Sequence, residues 1–175
     1  VAMSEVHKTG LSIRGGVKVY PGTRALKGVD FDLHMGAVNV LVGENGAGKS
    51  TLMKVIAGVE TLTEGTIEMD GVVQNFRSIS DAVDHGIGIV FQELNLFPNL
   101  TVAENIFIAR EPTRFGIDVD ARAQSVAARA LMKRLEQDID PDVQLGTLRI
   151  GQQQVVEIAK ALAQNAKILI LDEPT

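Results

Sequence analysis

The chain has 175 residues, 45 % of them hydrophobic, which is the length of one domain with enough apolar mass to bury a core, and this sets disordered and fibrous classes aside. Its 17 Lys and Arg against 22 Asp and Glu give a net charge of −5, leaving no surplus of positive charge to cover a phosphate backbone, so nucleic acid is not an expected partner. The absence of cysteine excludes a disulfide framework, a Cys-based zinc site and a thiol nucleophile, and no apolar run exceeds four residues, far short of the roughly 20 needed to span a bilayer.

The N-terminus, Val1-Ala2-Met3-Ser4-Glu5, has no secretion-signal pattern, and Met3 reads as a natural start behind two added residues. Strands are predicted at Val17–Tyr20, at the alternating Val29–Leu33 and at Val38–Val42, with turns at Pro21-Gly22 and Met35-Gly36. After a glycine-rich turn, Leu52, Val55, Ile56 and Val59 recur at i, i+3, i+4 and i+7, one face of a helix. Thr66–Gly71 reads as a short strand closed by Asp-Gly, and Gly86–Phe91 as another. Helices are predicted at Val102–Ala109, Asp120–Gln137 and Gly151–Ala163. In the last, Val155, Ile158, Ala159, Leu162 and Ala163 form the apolar stripe, with Gln153, Glu157, Lys160 and Gln164 off it. Ile168–Leu171 is a continuous apolar run ending in two acids, as in a parallel strand buried on both faces. The pattern is an α/β core with a helical insertion at roughly 95–165.

Gly43-Glu44-Asn45-Gly46-Ala47-Gly48-Lys49-Ser50 satisfies G-x-x-x-x-G-K-[ST], followed by Thr51, and it lies between a predicted strand and a predicted helix. Glycines allow backbone N–H groups to wrap an anion, the helix start adds free N–H groups and its positive dipole end, and Lys49 adds a full charge. The Ser50 hydroxyl is expected to ligate Mg²⁺. At the end of the last apolar run, Asp172 is placed to hold the magnesium through water and Glu173 to polarise an attacking water. Either acid alone would read equally as a solvated strand end. Lys49 and Asp172 are 123 positions apart, too far for a compact GTPase, so something is inserted into the nucleotide core.

With these residues the sequence resembles the ATP-binding cassette family from about Leu11 to Thr175, Gly43–Thr51 matching Walker A and Ile168–Glu173 Walker B. The resemblance implies a P-loop NTPase core at about 11–94 and 166–175 with an antiparallel β-subdomain. It also implies a helical subdomain at about 95–165 carrying the signature, and a chain ending shortly after Walker B, before the switch histidine. Gln92 matches the glutamine that senses the γ-phosphate and Mg²⁺. Tyr20, which alone would read equally as a strand-end packing residue, matches the adenine-stacking aromatic. Gln92-Glu93-Leu94-Asn95-Leu96 and Thr101-Val102-Ala103-Glu104-Asn105-Ile106 are similar to the first of two tandem cassettes in bacterial monosaccharide importers of the ribose, galactose and xylose type. That similarity implies ATP and Mg²⁺ as cofactors, and Glu173, Lys49 and Gln92 as catalytic residues. The implied partners are a transmembrane permease, an external sugar-binding protein and a second cassette, at the cytoplasmic face of the membrane.

The signature departs from the family's pattern. Leu148-Arg149-Ile150-Gly151-Gln152 carries Arg149 where a serine normally helps grip the γ-phosphate on the opposing cassette, and a long fork replaces a short hydroxyl. Gly151 is expected to permit close approach there. The departure motivates an alternative, a regulatory nucleotide-binding module with little turnover, while a soluble cassette of DNA repair or translation is disfavoured by the charge. His7, His34 and His85 read as surface or helix-end residues. Arg122, Arg129, Lys133 and Arg134 read as a solvated face, and Asp138, Asp140 and Asp142 as a turn rather than a calcium loop.

Overall fold

The computed structural model describes residues 8–91, 94–114 and 118–172. The chain divides into two compact units, Val1–Ile87 and Gly88–Thr175.

The first unit is built on a four-stranded antiparallel sheet whose order is β2 (Thr23–His34), β1 (Thr9–Tyr20), β3 (Glu64–Met69) and β4 (Val72–Gln74). The strands β1 (Thr9–Tyr20) and β2 (Thr23–His34) are joined by the two-residue Pro21-Gly22 turn, with Tyr20 opposite Thr23. Between β2 and β3 lies α1 (Lys49–Ile56), which buries Leu52, Val55 and Ile56 as its periodicity requires; Val59 falls beyond the helix end. Strands β3 (Glu64–Met69) and β4 (Val72–Gln74) form a hairpin across Asp70-Gly71, both with positive φ (51° and 80°), the backbone of a type I′ turn that Asp-Gly tolerates. Helix α2 (Ile79–Asp84) follows, capped by the Ser78 hydroxyl, which accepts the Asp81 N–H. His85 ends α2 with its ring edge-on to Phe76 at 5.3 Å, a helix-end role.

One predicted strand is absent. Val38–Val42 pairs with no strand among the described residues, and Val38, Val40 and Val42 are 92, 76 and 86 % exposed. Alternating hydrophobicity specifies a face, but a strand also needs a neighbour to fill its hydrogen-bond ladder. Here the amide of Asn39 closes the turn after β2 instead, accepting the His34 N–H (3.0 Å) and donating to the His34 carbonyl (2.8 Å).

In the second unit β5 (Ile87–Val90), which starts at the border between the units, pairs with β8 (Ile168–Leu171) in a two-stranded sheet; β6 (Thr113–Arg114) and β7 (Asp118–Val119) form a small hairpin. Three helices make the core: α3 (Val102–Phe107), α4 (Ala121–Arg134) and α5 (Ile150–Ala163). Thr101 and Glu104 cap α3 reciprocally, and Asp120 caps α4. Val102, Ala103 and Ile106 pack with Ala128, Met132, Val156 and Ala159. Arg129 on α4 reaches Asp140 (3.1 Å) and Asp142 (3.4 Å), so the acidic alternation is a salt-bridged turn. Among the described residues no helix is long and apolar enough to cross a membrane.

Candidate functional site

Gly43–Thr51 forms an exposed loop running into α1. The Ala47 N–H donates to the Glu44 carbonyl (3.1 Å), and Asn45 and Gly46 make the turn. Gly48, the residue before the helix, has φ 90°, and a Cβ there would lie 2.7 Å from the Ala25 carbonyl oxygen and 2.9 Å from Leu26 Cδ2. Only glycine fits both the conformation and the space. Among the described residues no side chain caps α1, and no acid lies in its first turn, so its leading N–H groups and positive dipole end are available beside Ser50 and Thr51. Lys49 folds back over the loop, donating to the carbonyls of Gly43 (2.7 Å) and Glu44 (2.9 Å). Cationic side chain, glycine cradle and free amides converge, and this donor set suits a polyphosphate.

Tyr20 belongs to the same unit. Gly48 abuts Ala25 and Leu26 of β2, and Leu26 pairs with Lys18 of β1, two residues before Tyr20. The hairpin therefore joins the expected base-stacking residue to the base of the phosphate loop.

The second unit holds the expected signature segment, Leu148–Gln152, and Asp172. Asp172 follows β8, half-buried, its N–H donating to the Val90 carbonyl (3.1 Å). Gln92 and Glu173 lie outside the described residues. Leu148 precedes α5, Arg149 is its N-cap, and Ile150, Gly151 and Gln152 form the first turn. The Arg149 side chain has no acceptor atom to cap the helix; Gln152 instead reaches back to take the Arg149 N–H (3.1 Å). Arg149 and Ile150 are exposed, and a Cβ on Gly151 would meet nothing within 4 Å among the described residues. Gly151 therefore leaves open space at the start of α5. Arg149→Ser restores a hydroxyl cap, so thermal or urea unfolding of the variant should show about 1 kcal/mol of added stability.

Glu157 corrects the sequence expectation for α5. Expected off the apolar stripe, it is only 7 % exposed, while the fully buried positions are Val156 and Ala159, with Ala161 beside them; Val155, Ile158, Leu162 and Ala163 are half-buried. Its carboxylate accepts the Asn95 N–H (3.0 Å), and Lys160 donates to the Asn95 carbonyl (2.9 Å). The two side chains hold both polar groups of one peptide segment, three residues after Gln92. Asn105 does the same for Phe97, accepting its N–H (2.7 Å) and donating to its carbonyl (3.0 Å). Periodicity treats a polar residue as solvent-facing; the signal available was Asn105 three positions after Val102, on the side of α3 that is buried.

Comparison with known proteins finds relatives both in sequence and in fold. The family model described as ABC transporter matches residues 26–175. The chain is 53 % identical over 158 residues to a ribose import ATP-binding protein of Rhodopirellula baltica, covering 90 % of this chain and 31 % of that protein. It is 48 % identical over 165 residues to an arabinose import ATP-binding protein of Yersinia pestis, covering 94 % and 31 %. The chain thus spans about a third of the length of these relatives. Among solved structures, a nucleotide-free ATP-binding cassette from an ABC transporter superposes with a TM-score of 0.82 at 28 % identity, covering 96 % of this chain and 70 % of that one. A dimeric post-hydrolysis cassette bound to ADP and Pi gives 0.74 at 28 %, covering 94 % and 74 %.

Proposed function

Because the chain belongs to the ABC transporter family, we propose that it is the ATP-binding part of an importer that drives a monosaccharide through a membrane permease. The observation that carries this reading is the Gly43–Thr51 loop with Lys49 drawn across it, in a chain about half identical to proteins named for ribose and arabinose import.

Residues 11–94 and 166–175 act as the nucleotide core, and 95–165 as the helical subdomain. Gly43, Glu44, Asn45, Gly46, Ala47 and Gly48 offer the phosphates their backbone, and Lys49 neutralises charge that grows on the transferred group. The hydroxyl of Ser50 and the carboxylate of Asp172 are hard oxygen donors of the kind Mg²⁺ prefers, with Gln92 as a further ligand. Bound ATP with Mg²⁺ supplies the phosphoryl bond to be broken and the cation that withdraws charge from it. Glu173 accepts a proton from the attacking water, and Tyr20 stacks the base. Leu148–Gln152 faces a second cassette, in another domain or another copy, and the permease is met at the cytoplasmic face, with a sugar-binding protein outside. The regulatory-module alternative rests on Arg149 alone and has no support among the relatives. In the complete polypeptide Arg149→Ser should raise ATP hydrolysis several-fold, and an unchanged rate would count against a weakened signature.

The deciding experiment is Glu173→Gln in the complete polypeptide assembled with its permease. ATP binding should persist while hydrolysis and monosaccharide uptake fall together by about 10²-fold or more. Uptake that continues at the wild-type rate would overturn the reading.

A further inference from the structure

The Tyr20 ring does not stand alone at the end of β1. The Lys18 ammonium sits 5.2 Å from its centroid, over one face. Lys18 is held there by Glu60 Oε2 (2.7 Å) and the Thr61 carbonyl (2.8 Å), and its side chain is only 12 % exposed, little for a lysine. Glu60 is also a partner of the Tyr20 hydroxyl, and the Lys18 hydrogen bond first, then its charge, hold the Glu60 carboxyl below its ordinary pKa. The segment after Glu60 is stitched to β1, with the Thr63 N–H on the Val17 carbonyl (2.7 Å) and the Val19 N–H on Thr63 Oγ1 (3.1 Å). Glu60 is tied to the phosphate-loop helix as well, since the Val59 and Glu60 N–H groups both donate to the Lys54 carbonyl in the last turn of α1 (2.9 and 3.2 Å).

We propose that Lys18 and Glu60 are positioning residues that fix Tyr20 as a one-sided platform for a purine base. Lys18 occupies one face and leaves the other for stacking, and Glu60 ties the platform to the helix that carries the phosphate loop. The inference rests on the nucleotide-binding reading and adds to it the residues that set base recognition. A cation on one face of a phenol ring draws π-density toward itself, which favours an electron-rich purine on the opposite face. Fixing the ring beforehand also removes an ordering cost at the moment of binding.

The chain has one tyrosine and no tryptophan, so intrinsic emission reports Tyr20 alone. ATP and inorganic tripolyphosphate are the two probes, with Kd measured by calorimetry and stacking by Tyr20 emission. In the wild type ATP should change the emission and tripolyphosphate should leave it unaltered. Lys18→Met keeps the apolar stem and removes the charge; it should weaken ATP about three- to tenfold, leave tripolyphosphate within about twofold and alter the emission of the free protein. Lys18→Arg should restore ATP affinity, and Glu60→Gln should weaken ATP in the same selective pattern. Equal losses for both probes in Lys18→Met, no loss for either, or tighter ATP binding would each overturn the proposal while leaving nucleotide binding intact. A wild-type chain that binds neither probe would overturn the nucleotide reading itself, and this inference with it.

Discussion

Replacing Lys49 by alanine should reduce ATP affinity by about 10- to 100-fold while moving the melting temperature of the chain very little. The structural bonds lost are two, to the Gly43 and Glu44 carbonyls, in a loop whose residues are mostly exposed. Water replaces such partners at a net cost of about 1 kcal/mol or less. A hydrogen bond from an ammonium to a phosphate is charge-assisted and worth about 1.5–3 kcal/mol, so the affinity loss is the larger effect. Because the same charge should count for more in the transition state, hydrolysis by the complete polypeptide should fall further, by about 10²- to 10³-fold. Calorimetric titration with ATP beside a thermal melt checks both halves. A large melting shift with unchanged affinity would make Lys49 a structural clasp of its loop and remove the phosphate site from Gly43–Thr51.

The local backbone of the Gly43–Thr51 loop was more legible in the sequence than the sheet. Gly48-Lys49 is readable because glycine, lysine and helix start act within a few residues, and local geometry is what short patterns encode. The hairpin turns at Pro21-Gly22 and Asp70-Gly71 are readable for the same reason. Val38–Val42 reads as a strand in the sequence because its alternation is local, whereas the partner that a strand needs is not. Helix α2, six residues long, is too short for a periodicity to declare itself. Glu157, Asn105 and Lys18 were missed for a third reason: each is placed by a distant peptide or ring that no spacing announces. Buried polar residues that serve backbone groups elsewhere in the chain are invisible to a rule that equates polar with exposed.

Asn105 is where such a residue should matter most for stability. It is fully buried, and beyond its two bonds to Phe97 it donates to the Thr101 carbonyl (2.9 Å) at the start of α3. Asn105→Leu matches the side chain in size and suits the surrounding Val102 and Ile106, so burial of apolar area favours the variant. Against this, the Phe97 N–H and carbonyl lose partners in a part-buried setting, at about 1–3 kcal/mol for each group left unsatisfied. The penalty outweighs the transfer gain, and Asn105→Leu should destabilise the chain by about 3 kcal/mol, a large share of the 5–15 kcal/mol typical of a domain. In urea this appears as a midpoint lower by about 1–2 M at unchanged slope. Val126→Ala, at an exposed position on α4, is the control and should stay within about 0.5 kcal/mol. An Asn105→Leu protein as stable as the control would mean that water or a shifted loop satisfies Phe97, and that the segment from Asn95 to Thr101 is held by Glu157 and Lys160 instead.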